Sequence, residues 1–159
     1  MQVRLATVED AAAISGLIRP LVEKYVAHEF STEGAENLLD SMAPEAIARN
    51  IAESFRYHIA EVEGKIAGVV ATADNRHLFH LFVAEAFQRQ GIARRLWAVA
   101  KQACLDAGGS GEFTVNSSRY AVSVYKKLGF VELGPTVVRN GVVFIPMRSA
   151  SEEHGELVD

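Results

Sequence analysis

The sequence predicts one mixed α/β domain, a twisted and mostly antiparallel sheet with helices on both faces, and three observations carry that reading. The chain has 159 residues, 49% of them hydrophobic and 23% charged, which is enough apolar surface for one core and requires no second domain. Apolar residues fall at helical spacing through the first third, switch to strand-like runs from Tyr57, and return to a helical stripe at Ile92. Turn signals at Glu63-Gly64 and Asn140-Gly141 join neighbouring strand runs tightly enough for hairpins.

The elements follow in order. Thr7 and Asp10 form a T-x-x-D pair ahead of Ile14, Leu17, Ile18, Leu21 and Val22, so the first helix starts there. Pro20 interrupts the stripe and is expected to kink or restart the helix before Tyr25–Phe30. Ala35–Met42 and Pro44–Ser54 read as further short helices, the second opening on a proline suited to a first turn. Strand-like runs cover Tyr57–Val62, Ile66–Ala73 and His77–Val83.

Ile92, Leu96, Val99, Ala100, Ala103 and Ala107 then recur opposite Arg94, Arg95, Lys101, Gln102 and Asp106, a well-marked amphipathic helix stopped by Gly108-Gly109. Phe113–Asn116 reads as a strand and Arg119–Leu128 as a helix closed by Gly129. Phe130–Val138 is expected to return as one strand through Asn140-Gly141 to Val142–Met147. The domain is placed at residues 1–148, with an acidic, flexible tail over 149–159.

A net charge of −4 argues against a nucleic-acid partner and suits cationic substrates. No apolar run approaches the roughly 18 residues of a membrane span, and Met1-Gln2-Val3-Arg4-Leu5 lacks a signal-peptide layout, so the cytoplasm is the expected location. The one cysteine, Cys104, excludes an internal disulfide and lies beside the apolar helical face as a structural thiol. The five histidines show no zinc-site spacing, and no metal is expected.

The segment Gln88-Arg89-Gln90-Gly91-Ile92-Ala93-Arg94-Arg95 follows a strand and opens the amphipathic helix. Unpaired backbone N–H groups and the positive helix end meet at such a turn, which favours phosphate. Gly91 lets the backbone approach an anion, Ala93 keeps the next turn thin, and the arginines add charge. The segment lacks both G-x-x-x-x-G-K-S/T and G-x-G-x-x-G, so nucleoside triphosphates and nicotinamide cofactors lose support. An ordinary strand-to-helix turn with solvated arginines is the competing reading of the loop alone.

Gln88-Arg89-Gln90-Gly91-Ile92-Ala93 resembles the Q/R-x-x-G-x-G/A signature of the GNAT superfamily of N-acetyltransferases, and Ala121-Val122-Ser123-Val124-Tyr125-Lys126-Lys127-Leu128-Gly129-Phe130 resembles its A-x-x-x-Y-x-x-x-G-F block downstream. The likeness reaches back to Val3–Asp10 and fades over Tyr25–Ser54, where the family's acceptor site usually lies. It implies two adjacent parallel strands at the middle of the sheet and acetyl-CoA as co-substrate. The reaction it implies is N-acetylation of a primary amine, on a small molecule or peptide, by direct attack in a ternary complex. A non-catalytic acyl-CoA-binding or regulatory module is the alternative. Similar proteins commonly dimerise, and a homodimer stays open.

The resemblance also assigns roles. Backbone groups at Leu81, Phe82 and Val83 would meet the pantetheine arm and thioester oxygen, and Gln88, Arg89, Gln90, Gly91, Ile92, Ala93 and Arg94 the pyrophosphate. Tyr125 takes the position of the acid that protonates the leaving thiolate, although a core aromatic also fits its helical face. His77 stands six residues before Val83, where several family members carry a base. At strict period two, His77 shares a face with Phe79, Leu81 and Val83 while His80 faces away, so only one histidine lines the cleft. Asp74 and Glu85 are the alternative bases. Ser118 fills a slot where the family commonly has asparagine, with Asn116 two residues earlier; both are cofactor-contact candidates, and Ser118 also suits a helix N-cap. Tyr25, His28, Glu29, Phe30 and Glu33 are candidates to line the acceptor site, the acids favouring an amine.

Overall fold

The computed structural model describes residues 1–150. Its strands are β1 (Gln2–Leu5), β2 (Phe55–Val62), β3 (Lys65–Ala73), β4 (His77–Val83), β5 (Thr114–Ser117), β6 (Phe130–Glu132), β7 (Val137–Arg139) and β8 (Val142–Ser149). Its helices are α1 (Ala11–Tyr25), α2 (Thr32–Asp40), α3 (Pro44–Glu53), α4 (Ile92–Asp106) and α5 (Val122–Lys127). The sheet order is β1-β2-β3-β4-β5-β8-β6, with β7 also on β8. β4 and β5 run parallel; the other recorded pairings are antiparallel.

The two faces of the sheet bury separate cores. Ile14 and Ile18 of α1 and Ile47 of α3 pack on Tyr57, Ile59 and Val69. Across the sheet, Leu96 and Trp97 of α4 and Tyr125 of α5 pack on Val115, Phe130 and Met147. Each fully buried aliphatic or aromatic side chain contributes about 1.5–3 kcal/mol, so these stripes, rather than propensity, hold the helices in place. Arg4 ties the sheet edge to the α1 entrance, with both Asp10 oxygens 3.0 Å away and Glu61 at 3.2 Å.

Several elements differ from the sequence expectation. Gln2–Leu5, to which the sequence pattern assigns no element, forms edge strand β1 against β2, and α2 covers Thr32–Asp40 rather than Ala35–Met42, its start capped by the Ser31 hydroxyl, which accepts the Gly34 N–H at 2.9 Å. α1 runs unbroken through Pro20. Pro20 and Gly16 are both exposed, so the Gly16 carbonyl that loses its partner is solvated, while buried Ile14, Ile18 and Val22 anchor both halves. α5 is shorter than Arg119–Leu128 because Ser118 first makes a turn, accepting the Ala121 N–H at its carbonyl and at its hydroxyl, both at 3.2 Å. The strand expected over Phe130–Val138 is two, β6 and β7, separated around Gly134-Pro135, where proline has no N–H for a ladder. β8 extends past Met147 through Ser149, whose hydroxyl accepts the Phe113 N–H at 3.0 Å. Residue 149 therefore belongs to the sheet; residues 151–159 of the expected tail lie outside the described residues. No described helix is long and apolar enough to cross a membrane.

Candidate active site

β4 and β5 pair only at His77–Thr114 and Leu78–Val115. Past Leu78 they part, and the β4 edge over residues 79–83 has no strand partner on the β5 side among the described residues. Backbone N–H and C=O groups left this way need a partner, and a ligand can supply one. A cleft of about 960 Å³ opens at the divergence, lined by Leu81, Phe82 and Val83.

The Gln88–Arg95 loop forms one rim. Gly91 is the N-cap of α4 at φ 80°, and Arg89 also adopts a left-handed conformation at φ 65°. A β-carbon at Gly91 would meet nothing within 4 Å, so backbone conformation, not crowding, is what the glycine serves. The first-turn N–H groups of Ile92, Ala93 and Arg94 have no intrahelical acceptor by helix geometry. Gln88, Arg89, Gly91, Ile92, Ala93 and Arg94 all line the cleft; Gln90 is not among its lining residues. Gln88 donates from Nε2 to the Val83 carbonyl at 3.0 Å, fastening the loop to the end of β4.

On the other rim, Asn116, Ser118 and Tyr125 line the same cleft. Tyr125 is 7% exposed, and its ring meets Phe130 edge-on at 5.8 Å. Burial raises the pKa of its phenol, so the hydroxyl stays protonated at neutral pH. The Ser118 hydroxyl is already used by the turn that precedes α5.

The histidines correct a sequence expectation. Ala71 pairs with His80 and Thr72 with Leu78, leaving Phe79 as a bulge in β4. The extra residue reverses the alternation, and His77 opposite Ala73 and His80 opposite Ala71 face the same side of the sheet. His77 thus does not share the face of Leu81 and Val83, and both histidines line the cleft. His77 is half-buried, with Nδ1 2.8 Å from Thr114 Oγ1. Burial lowers its pKa, and Arg76 adds to that effect. His80 is buried, Nδ1 lying 3.3 Å from the Tyr57 hydroxyl. Burial pushes its pKa down to about 3 and that of Tyr57 up to about 12.

The alternative bases lie elsewhere. Asp74 lines a separate cavity with Arg56 and Asn75. Glu85 accepts from the Tyr25 hydroxyl and from Lys24 at 3.0 Å, and it is not a cleft-lining residue. Of the proposed acceptor-site residues, Tyr25 and Phe30 line the cleft, whereas His28, Glu29 and Glu33 do not. Glu29 instead meets Arg119 at 3.8 Å. Tyr25 stacks on Tyr120 at 4.7 Å, so the end of α1 touches the β5–α5 connection across the opening.

Sequence reasoning missed the rest of the cleft wall around Tyr25 and Phe30. Leu38, Met42 and the β7–β8 hairpin residues Arg139, Val143 and Phe144 also line the cleft. The hairpin reaches there because Gly141 packs on the α2 entrance, its carbonyl accepting the Ser31 N–H at 3.3 Å. A β-carbon on Gly34 would sit 2.3 Å from the Gly141 oxygen. Two glycines 107 positions apart were the available signal, and nothing local connects them.

Sheet order, an opened parallel pair and a helix N-terminus at the opening define an α/β acyltransferase fold. Residues 26–151 match the profile of the acetyltransferase (GNAT) domain, and the chain belongs to that family. A GCN5-related N-acetyltransferase structure from Rhodopseudomonas palustris superposes with a TM-score of 0.80 at 21% identity, covering 94% of this chain and 95% of that one. The PaiA N-acetyltransferase of Thermoplasma acidophilum, in complex with coenzyme A, gives 0.73 at 18% identity over 95% and 100%. An aminoglycoside 6′-N-acetyltransferase complexed with coenzyme A gives 0.70 at 14% identity over 94% and 96%. No sequence among curated proteins matches significantly.

Proposed function

We propose that this protein moves an acetyl group from acetyl-CoA to a primary amine of a small molecule or peptide, in the cytoplasm and without a metal, by direct attack in a ternary complex. The carrying observation is the convergence of an unpaired strand edge, a helix N-terminus and a buried phenol on one cleft. Acetyl-CoA supplies an activated thioester. The first turn of α4 offers its N–H groups and dipole to the pyrophosphate, and Arg89 and Arg94 add charge. Backbone groups at Leu81–Val83 meet the pantetheine arm and stabilise charge developing on the thioester oxygen. Gln88 acts indirectly by fixing the Val83 carbonyl. Asn116 and Ser118 border the arm on the β5 side, while Gln90 has no support from its position.

The amine must reach the carbonyl uncharged, so its proton leaves first. His77 takes that proton through water; with Nδ1 held at Thr114, Nε2 is the nitrogen for the exchange. As the carbon–nitrogen bond forms and the carbon–sulfur bond breaks, Tyr125 gives its proton to the departing thiolate, and the second proton, lost from the acylated nitrogen and carried by water, restores the phenol. Calorimetric titration with acetyl-CoA is the test, and folded protein that binds none would sink the proposal. Tyr125→Phe is expected to keep that affinity while turnover falls by about 10²–10⁴-fold, the usual range for a lost general acid.

A further inference from the structure

The lining residues of the cleft include no aspartate or glutamate among the described residues, yet they include Arg89, Arg94, Lys127 and Arg139. The first three stand at the α4 N-terminus or the α5 C-terminus, on the acetyl-CoA side. Arg139 is at the hairpin, its guanidinium 5.4 Å from the Phe144 ring centre. The rest of the acceptor half is mainly apolar, with Val26, Phe30, Leu38, Met42, Val143 and Phe144, and its uncharged polar groups include Asn37, Ser41 and Asn140. Nearby carboxylates serve other partners or face out. Glu29 meets Arg119, Glu85 meets Tyr25 and Lys24, and Glu33, Glu36 and Asp40 lie on the exposed side of α2.

We infer that the acceptor is a monoamine carried on an apolar body, aromatic or branched aliphatic, and not a polyamine, an aminoglycoside or a lysine-rich peptide. The inference rests on the acetyl-transfer reading above and names its acceptor class. A second ammonium would be stripped of water against largely apolar walls without a carboxylate counter-charge, and Arg139 would repel it. An apolar body instead gains from burial against those walls. The same surroundings favour the uncharged form of the one reacting amine, because desolvation without a neighbouring carboxylate disfavours an ammonium. The absence of carboxylates thus selects the acceptor and helps to prepare its nucleophile.

Thiol release at saturating acetyl-CoA, with 2-phenylethylamine, isopentylamine, spermidine and kanamycin as acceptors, tests the inference. The two monoamines are expected to exceed spermidine and kanamycin in kcat/KM by about a hundredfold or more. Equal or higher values for either polycation overturn the inference, as does turnover of neither monoamine by protein that binds acetyl-CoA. Acetyl-CoA binding is measured calorimetrically on the same samples, and its absence counts against the acetyl-transfer reading itself. Val143→Glu, checked for an unchanged melting transition, is expected to lower the 2-phenylethylamine to spermidine ratio by at least about tenfold. Where Val143→Glu unfolds the protein, Phe144→Glu is read in its place, and an unchanged ratio in the folded variant overturns the inference.

Discussion

The two halves of the cleft are built differently. The half proposed to hold acetyl-CoA is assembled from one stretch, β4 into α4, and a second, β5 into α5, and what it offers is largely backbone groups at a strand edge and a helix end. The half proposed to hold the acceptor brings residues 21–42 together with residues 139–144, through side chains on α1, α2 and a hairpin distant in sequence. Backbone sites need particular conformations, which leave local marks such as Gly91. Side-chain sites need only apolar residues in the right places, and those look like core until the chain is folded.

If the halves are separable, substitutions should damage one ligand at a time. The largest effect is expected from Gly91→Asp, which puts a carboxylate and backbone strain where phosphate should bind. Acetyl-CoA affinity should fall by about a hundredfold or more by calorimetry, with the melting temperature lowered only modestly. Equal binding by that variant would move the pyrophosphate away from this loop. Gly34→Ala attacks the other half, because its β-carbon forces α2 away from Gly141. The acceptor KM should rise about tenfold at unchanged acetyl-CoA affinity, with about 1–3 kcal/mol lost in stability. An effect on acetyl-CoA instead would show that the halves are coupled.

Acid sharpens the comparison from the core side. His80 has its folded pKa lowered to about 3 from an ordinary 6.5. Below pH 6.5 the unfolded chain therefore binds the proton that the folded state refuses, and stability is lost as pH falls toward 3. The slope from His80 approaches about 1.4 kcal/mol per pH unit in that window, with His58 and His77 shifted the same way. Denaturant melts of His80→Gln across pH 4–7 should show a shallower slope than the parent protein. The smallest effect is expected from Arg4→Met, remote from both halves. It should cost about 1 kcal/mol in stability and leave both ligand constants unchanged.

Much of the fold could be read from local pattern. The stripe from Ile92 to Ala107, the run of three strands from Tyr57 and the Asn140-Gly141 turn each hold their place because burial periodicity and turn chemistry agree there. Pro20 misled because its effect depends on exposure. A proline in the helix interior is tolerated when the carbonyl it orphans faces water. The long strand assigned to Phe130–Val138 failed because both of its pieces pair with β8, so apolar pattern continued across a break in the ladder.

The histidines mark the boundary most clearly. The sequence by itself determined the order of the helices from α1 to α5 and of the strands from β2 to β5, because these follow from neighbours a few residues apart, and it placed a tyrosine, Tyr125, downstream of the Gln88–Arg95 turn. Only the tertiary structure decided that Phe79 bulges and turns His77 to the same face as His80, since register against β3 sets the alternation. It also decided that Gly34 meets Gly141 and that the acids of the α1–α2 region stay outside the cleft. Contacts between distant segments set those outcomes, and no periodicity within either segment encodes where the other will lie.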